Sequence, residues 1–331
     1  MTPSTTADAG QDTPGRRSPR SRLPRGRRAR LYAVLAVVVV ALLVVVGDGA
    51  LMASRVSRLH VDLSAGGGDA NGRTWVLLGL DSRADLPAGA DAADFGDTDA
   101  VPGARTDVVI VVQQTDQGTT VFSVPRDVVA RDDHRLDRLA LAYLDGPQGT
   151  VDALCSLGIP TDHLITVDLR GFAAMVDAAG GLTVDVPEPV RDSYSGLELT
   201  RTGRQHLDGL TALALVRSRH PEHLVDGRWT PAPVDPDGRA TDAGTVLSAL
   251  VRQVHGALTR PWRLQRLGWA ASGSVRLDQH TSLAEVASLA RADLGPVQVL
   301  PVADPIGDTL PRLPTAATTA ALRAAGMSCR R

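Results

Sequence analysis

Charged residues stand where the apolar runs of this sequence stop. Asp81 and Arg83 follow TWVLLGL (74–80), Arg105 and Asp107 flank the start of TDVVIVVQQ (106–114), and Arg126 and Asp127 follow TTVFSVP (119–125). Arg217 and Arg219 close DGLTALALVRSRH, and Arg239 follows in PDGRATD. Strand ends in α/β sheets are where ligands bind. Guanidinium forks take phosphate oxygens in pairs, and carboxylates hold a divalent cation that bridges such oxygens. A set rich in arginine with a few aspartates therefore fits an anionic, phosphate-like ligand together with a divalent cation.

These residues need a scaffold. The three runs just named, with LITVDL (164–169) and GLTVDVP (181–187), are β-branched and bounded by Gly, Asp or Pro, as buried strands are. Helix-like stretches fall at 149–157, 170–179, 208–218, 241–259 and 282–293, and VQVLP (297–301) reads as a late strand. This interleaving predicts an α/β fold, a layered α-β-α domain. Its central sheet is mixed, because 106–114 and 119–125 are close enough for an antiparallel hairpin. The domain is expected over 74–301, after a flexible linker at 53–73. A surface loop is expected at 84–104 and a loosely ordered tail with a short Ala-rich helix at 302–331.

Of the 331 residues, 43% are hydrophobic and 22% charged, with a net charge of −2. Collagen-like, disordered and nucleic-acid-binding readings are disfavoured. All 35 basic residues are arginine, which excludes Schiff-base chemistry and a Lys-dependent phosphate loop. Cys155 and Cys329 fit neither zinc-ligand spacing nor a Cys-x-x-Cys pair, and a single disulfide or two inert thiols both stay open.

The near-neutral total hides an asymmetry. Residues 1–30 carry eight arginines against Asp8 and Asp12, and LYAVLAVVVVALLVVVG (31–47) follows directly. An uncharged run of 17 residues nearly crosses the hydrocarbon core, and 48–52 complete it. The run exceeds the apolar region of a cleaved signal peptide, and no clear A-x-A site follows it. A single transmembrane anchor at 31–52 is expected. The arginines keep the tail 1–30 cytoplasmic and put the main domain outside the cell membrane. ATP and NAD(P)H are scarce there, which disfavours kinases and dehydrogenases.

At its strand-end residues the chain resembles the LytR-CpsA-Psr family of cell-wall ligases. The resemblance covers roughly 74–260 and rests on ordered blocks: LLGLDSR (77–83), ARTDVVIV (104–111), SVPRD (123–127), GIPTDHLITVDLRGFAAMVDAAGGLTVDVPEPV (158–190), LDGLTALALVRSRH (207–220) and DGRW (226–229). It implies a single-pass protein whose extracytoplasmic α/β domain is a phosphotransferase. That enzyme moves a glycopolymer from a polyprenyl-pyrophosphate carrier to a peptidoglycan acceptor with Mg²⁺ (or Mn²⁺); a catalytically impaired member that binds lipid-linked polymer or an assembly partner, and a lipid-pyrophosphate hydrolase, stay open beside it. Carried onto this sequence, Asp81 and Asp107 would be metal ligands. Arg83, Arg105, Arg126, Arg217, Arg219 and Arg239 would hold the pyrophosphate, and Asp127 belongs with the same catalytic set.

The chain departs from the family's pattern at three places. A Gly-Arg-x-x-Arg-Gln-Gln segment is replaced by Gly238-Arg239-Ala240-Thr241-Asp242-Ala243-Gly244, so that Asp242 stands where an arginine is usual. In HRLDRLALAY (134–143) either Asp137 or Ala140 replaces an asparagine. The positions of two cysteines found in some relatives are Asp185 and Arg204, where an ion pair is the natural substitute.

Overall fold

The computed structural model describes residues 25–63, 72–82, 86–90, 103–133, 135–233, 235, 237–307 and 309–329. The chain divides into two units, Met1–Ala50 and Leu51–Arg331. In the first, the described residues belong to helix α1 (Arg25–Arg55). From Tyr32 to Arg55 this helix is long and apolar enough to cross a membrane. Its valines and leucines are exposed on every side, a surface that suits lipid rather than water. Helix α1 is therefore a candidate membrane anchor, and the arginine-rich 1–24 lie outside the described residues.

In the second unit, strands β1 (Ser57–Leu59), β2 (Arg73–Asp81), β3 (Arg105–Thr115) and β4 (Gly118–Ser123) are followed by a small β5–β6 hairpin (Val129–Arg131, Leu136–Arg138). Helices α2 (Leu139–Ala142) and α3 (Gly146–Ser156), strand β7 (His163–Asp168) and helix α4 (Leu169–Ala179) come next. Then come β8 (Leu182–Val186), β9 (Val190–Asp192), β10 (Leu197–Leu199), β11 (Gly203–Leu207), α5 (Gly209–Arg217), β12 (Glu222–Val225) and β13 (Arg228–Pro231). The chain continues through α6 (Gly238–Leu258), α7 (Pro261–Ser274), β14 (Val275–Asp278), α8 (Leu283–Leu289), β15 (Val297–Val299) and α9 (Ala316–Ala324).

The main sheet has the order β1-β14-β7-β2-β3-β4-β15. Strands β2 and β7 are parallel and β2, β3 and β4 antiparallel, so the sheet is mixed, as expected. Alternation along β2 and β3 splits the core. Val76, Leu78, Val109 and Val111 face one cluster with Leu139, Leu154 and Leu322. Trp75, Ile110 and Val112 face another, against which Leu247 and Val251 of α6 pack. Burying a large aliphatic side chain contributes about 1.5–3 kcal/mol, which fixes the register. A third cluster joins α4, α5 and α6 to the antiparallel β8–β11 pair. Asp168 and Asp208 cap α4 and α5 by accepting from the Gly171 and Thr211 amides, 2.7 and 2.8 Å away. Gly209 allows α5 to approach α4, since a Cβ there would meet the Ala173 carbonyl oxygen at 2.3 Å.

The packed unit exceeds the expected 74–301 at both ends. Residues 64–71 of the expected linker lie outside the described residues, but β1 pairs with β14 and Val56, Leu59, Val61 and Leu63 are buried. A three-residue strand leaves no periodic signal. The segment 302–331 is not a loose tail where it is described. Leu322 and Met327 are buried, and Cys329 is disulfide-bonded to Cys155 of α3. The segment 181–187 is a strand, but it pairs with β11 outside the main sheet. Asp185 and Arg204 do face each other in that pair, yet both are exposed and no ion pair within 4.0 Å joins them.

The Cys155–Cys329 bridge closes a loop of 174 positions. Replacing both cysteines by serine is expected to lower stability by about 2–5 kcal/mol. The effect should appear as a fall in Tm of the detergent-solubilised chain under non-reducing conditions. An unchanged Tm would mean that α9 holds without the bridge.

Candidate active site

Strands β2 and β3 pair from Arg73 opposite Gln114 to Gly79 opposite Val108, and resume with Leu80 opposite Thr106. Asp107 is thus an extra residue without a strand partner. A bulge of this kind twists its strand and re-aims the extra side chain. Gly79 makes room for it, because a Cβ there would stand 3.0 Å from the Val108 Cβ.

The re-aimed Asp107 carboxylate, 8% exposed, gathers three arginines from distant parts of the chain. Arg126 Nη1 donates to Oδ1. Arg239 Nη2 donates to Oδ2 at 2.8 Å, and Arg219 Nη2 reaches the same oxygen at 3.4 Å. Asp127 accepts from Arg138 Nη1 at 2.9 Å and lies 3.6 Å from Arg126 Nε. Asp81, buried at the end of β2, is paired in register with Arg105, and its charge acts on Arg239. A cleft opens here, lined by Asp107, Ser123, Pro125, Arg126, Asp127 and Arg239 among others.

The arginines are held from outside the cleft. Asp192, fully buried at the end of β9, accepts from the Arg219 amide at 2.6 Å, the His220 amide at 2.8 Å and Ser218 Oγ at 2.8 Å. Burial pushes its carboxyl up, but these bonds and one from the Tyr194 amide outweigh it and bring the pKa below the usual range. Arg312 is buried as well, 3% exposed. Its amide donates to the Asp127 carbonyl at 2.9 Å, and its Nη1 donates to Asp237 Oδ1 at 2.5 Å, beside the start of α6. It thereby ties the 126–127 turn to the helix that carries Arg239. Of the two readings of 134–143, Ala140 is the residue at the turn, since its amide donates to the Arg126 carbonyl at 2.8 Å.

Of the residues singled out from the sequence, Asp107, Arg126, Asp127, Arg219 and Arg239 meet in one place, with Asp81 and Arg105 adjoining. Arg217 ends α5 two positions before Arg219 and is half-buried. Arg83 lies outside the described residues. Sequence reasoning missed Arg138, Asp192 and Arg312. Arg138 sat in a block whose register was ambiguous, and the other two had no motif to mark them.

The site is strongly cationic. Burial, and then the neighbouring Arg239, lower the Arg126 pKa to about 9. Burial also lowers that of Arg239, against the pull of Asp127, Asp81 and Asp242. The Nε–H groups of Arg105, Arg126 and Arg239 are buried and meet no hydrogen-bond acceptor among the described residues. Buried donors without partners are rare in folded proteins. Among the described residues, no group of three or more His, Cys, Asp or Glu could hold a metal ion by itself. The two carboxylates of Asp81 and Asp107 suit Mg²⁺, a hard cation that takes one or two carboxylates and completes its shell with phosphate oxygens and water.

Asp242 lies next to Arg239 but is not among the residues lining the cleft. Burial, then Asp235, raise its carboxyl to about 6. A carboxyl raised on folding stabilises the fold only while protonated, so this contribution is lost as the pH climbs from about 4 through 6. Asp242→Asn is expected to raise stability by about 2 kcal/mol at pH 7.5 and to have little effect at pH 4. Denaturant titrations at the two pH values check this, and an equal effect at both would deny the raised carboxyl.

The LytR_cpsA_psr family model matches residues 53–230. The chain is 30% identical over 297 residues to the cell wall biosynthesis protein LcpA of Corynebacterium glutamicum, covering 75% of this chain and 54% of that protein. It is 31% identical over 116 residues to the polyisoprenyl-teichoic acid–peptidoglycan teichoic acid transferase TagU of Halalkalibacterium halodurans, a third of each chain. A LytR-Csp2A-Psr enzyme from Actinomyces oris superposes with a TM-score of 0.70 at 35% identity, covering 83% of this chain and 98% of that one. The chain thus spans little more than half the length of the first of these curated relatives.

Proposed function

The chain belongs to the LytR-CpsA-Psr family, and from that premise we propose that it transfers a glycopolymer from a polyprenyl-pyrophosphate carrier to peptidoglycan at the outer face of the cell membrane. Support comes from relatives named for teichoic acid transfer and cell wall biosynthesis. The observation that carries the reading is the cleft in which Arg126, Arg219 and Arg239 share the single carboxylate of Asp107.

In the proposed reaction an acceptor sugar hydroxyl attacks the phosphorus that bears the glycan. A new oxygen–phosphorus bond forms, the bond to the bridging pyrophosphate oxygen breaks, and polyprenyl phosphate leaves with that oxygen. The hydroxyl proton passes to solvent. The pyrophosphate bond supplies the driving force, so no nucleotide is needed. Phosphoryl transfer of this kind calls for positioning and charge stabilisation more than for covalent help. Arg126 and Arg239 would grip the phosphate oxygens by exchanging the Asp107 carboxylate for them. Arg219, half-exposed, would close from the rim, and Arg105 would add its buried Nε–H. Asp192 fixes the backbone at Arg219, and Arg312 fixes the 126–127 turn against the start of α6. Mg²⁺ held by Asp81 and Asp107 would neutralise charge on the phosphate oxygens. Asp242 removes one cation that relatives supply, so headgroup affinity rests more heavily on Arg126 and Arg239.

Mass spectrometry of the full chain incubated with a lipid-pyrophosphate glycan, Mg²⁺ and peptidoglycan fragments tests this reading. A phosphodiester-linked glycan on the acceptor is the expected product. Free glycan phosphate in place of it would mean a hydrolase, and retained lipid substrate with no product would mean a binding protein.

A further inference from the structure

Between Ala243 and Leu277 the sequence has no aspartate or glutamate but has Arg252, Arg260, Arg263, Arg266 and Arg276. Where α6 ends and α7 begins, this basic stretch also exposes large apolar side chains. Leu258 is 36% exposed, Leu264 42% and Trp262 63%. Arg260 and Arg266 are exposed beside them.

The same helix touches the anchor's last turn. Arg55 stacks over the Trp269 ring, 4.7 Å from its centroid, and Met52 Sδ lies 3.3 Å from where a Cβ on Gly268 would stand. Trp262, Arg266 and Trp269 are spaced by four and three residues and so share one stripe of α7. At 1.5 Å per residue, Trp262 lies only about 10 Å along the helix from Trp269. The helix that bears Trp262 and Arg266 is therefore the one that Met52 and Arg55, just past the apolar run of α1, pack against.

We propose that the α6–α7 corner docks on the anionic phospholipid headgroups of the membrane that α1 enters. Tryptophan settles at the headgroup level, and arginines in a stretch that has no Asp or Glu attract lipid phosphates. Leu258 and Leu264 add apolar area that an amphipathic surface buries at the acyl boundary. Docking fixes the orientation of the compact unit at the bilayer, which a single tether cannot do. The inference rests on the membrane-anchor reading of α1 and is independent of the transfer chemistry.

The test uses the full chain in nanodiscs of phosphatidylcholine alone or mixed with phosphatidylglycerol, with lipids brominated near the headgroup. Tryptophan fluorescence should be quenched more in the phosphatidylglycerol discs, and Trp262→Phe should remove most of that difference. Arg260→Ala with Arg266→Ala should reduce it further toward the neutral-lipid value. Amide exchange over 258–266 should slow in phosphatidylglycerol discs relative to neutral detergent. Quenching that is the same for wild type and Trp262→Phe in both lipids would overturn the proposal. So would protection in detergent that rises with protein concentration, because a second copy would then cover the corner. Neither readout needs a substrate, so a failed transfer assay leaves the result intact.

Discussion

Asp107→Asn is expected to destabilise the protein by about 3–5 kcal/mol and to abolish transfer. The carboxylate is the shared counter-ion of Arg126, Arg219 and Arg239, and Arg126 and Arg239 are largely buried. Asparagine keeps the shape but leaves cations facing one another in a medium of low polarity, where removing one partner of a buried pair costs most. The defect carries a signature. Inorganic pyrophosphate should restore part of the lost Tm in the variant and shift the wild type less, since an added anion replaces the missing charge. Activity should stay lost under the same conditions. A variant whose Tm matches wild type would show that the arginines do not depend on Asp107.

The second large effect is on catalysis. Arg126→Ala should lower the transfer rate about 10²–10³-fold, the range found when one preorganised donor to a developing charge is removed. Arg126 is the most enclosed of the three guanidinium groups, 10% exposed against 19% for Arg239 and 47% for Arg219. It is also fixed by Asp127 and by the turn that Ala140 and Arg312 hold. Arg219→Ala, at the rim, should cost less. Single-turnover rates with a lipid-pyrophosphate glycan check the order, and a larger loss at Arg219 than at Arg126 would reverse the assignment. Lysine at 126 should recover little, because it offers a point charge in place of a fork.

Much of this was legible in the sequence. β-branching and Gly, Asp or Pro boundaries marked β2, β3 and β4, and the rule that ligands gather at strand ends picked out Asp107, Arg126 and Asp127 before any geometry was known. The role of Asp107 as a hub was not legible. It depends on a bulge opposite Gly79 and Leu80, and one unpaired residue in an eleven-residue strand does not disturb the apolar pattern. Strand β14 and helix α7 were missed for other reasons. VRLD is too short to show a period, and Pro261 with three arginines and two tryptophans over 260–269 does not look like a packed helix. Arg312 and Asp192 act through long-range contacts with backbone groups. Such contacts are set by tertiary structure, which local pattern does not encode.

Asp242 illustrates the limit from the other side. Its departure from the family pattern is plain in the sequence, and a carboxylate beside a pyrophosphate would repel it. In the folded chain the residue lies outside the cleft lining, so the substitution removes a cation without placing the carboxylate directly against the headgroup.

The proposed pyrophosphate receptor is the set of arginines gathered on Asp107. A crystal structure of the full chain with geranyl pyrophosphate and Mg²⁺ tests it most directly. Phosphate oxygens are expected within hydrogen-bond distance of Arg126 and Arg239, with the Asp107 carboxylate released from at least one of them. A headgroup bound elsewhere, with the Asp107 contacts to Arg126, Arg219 and Arg239 unchanged, would contradict it.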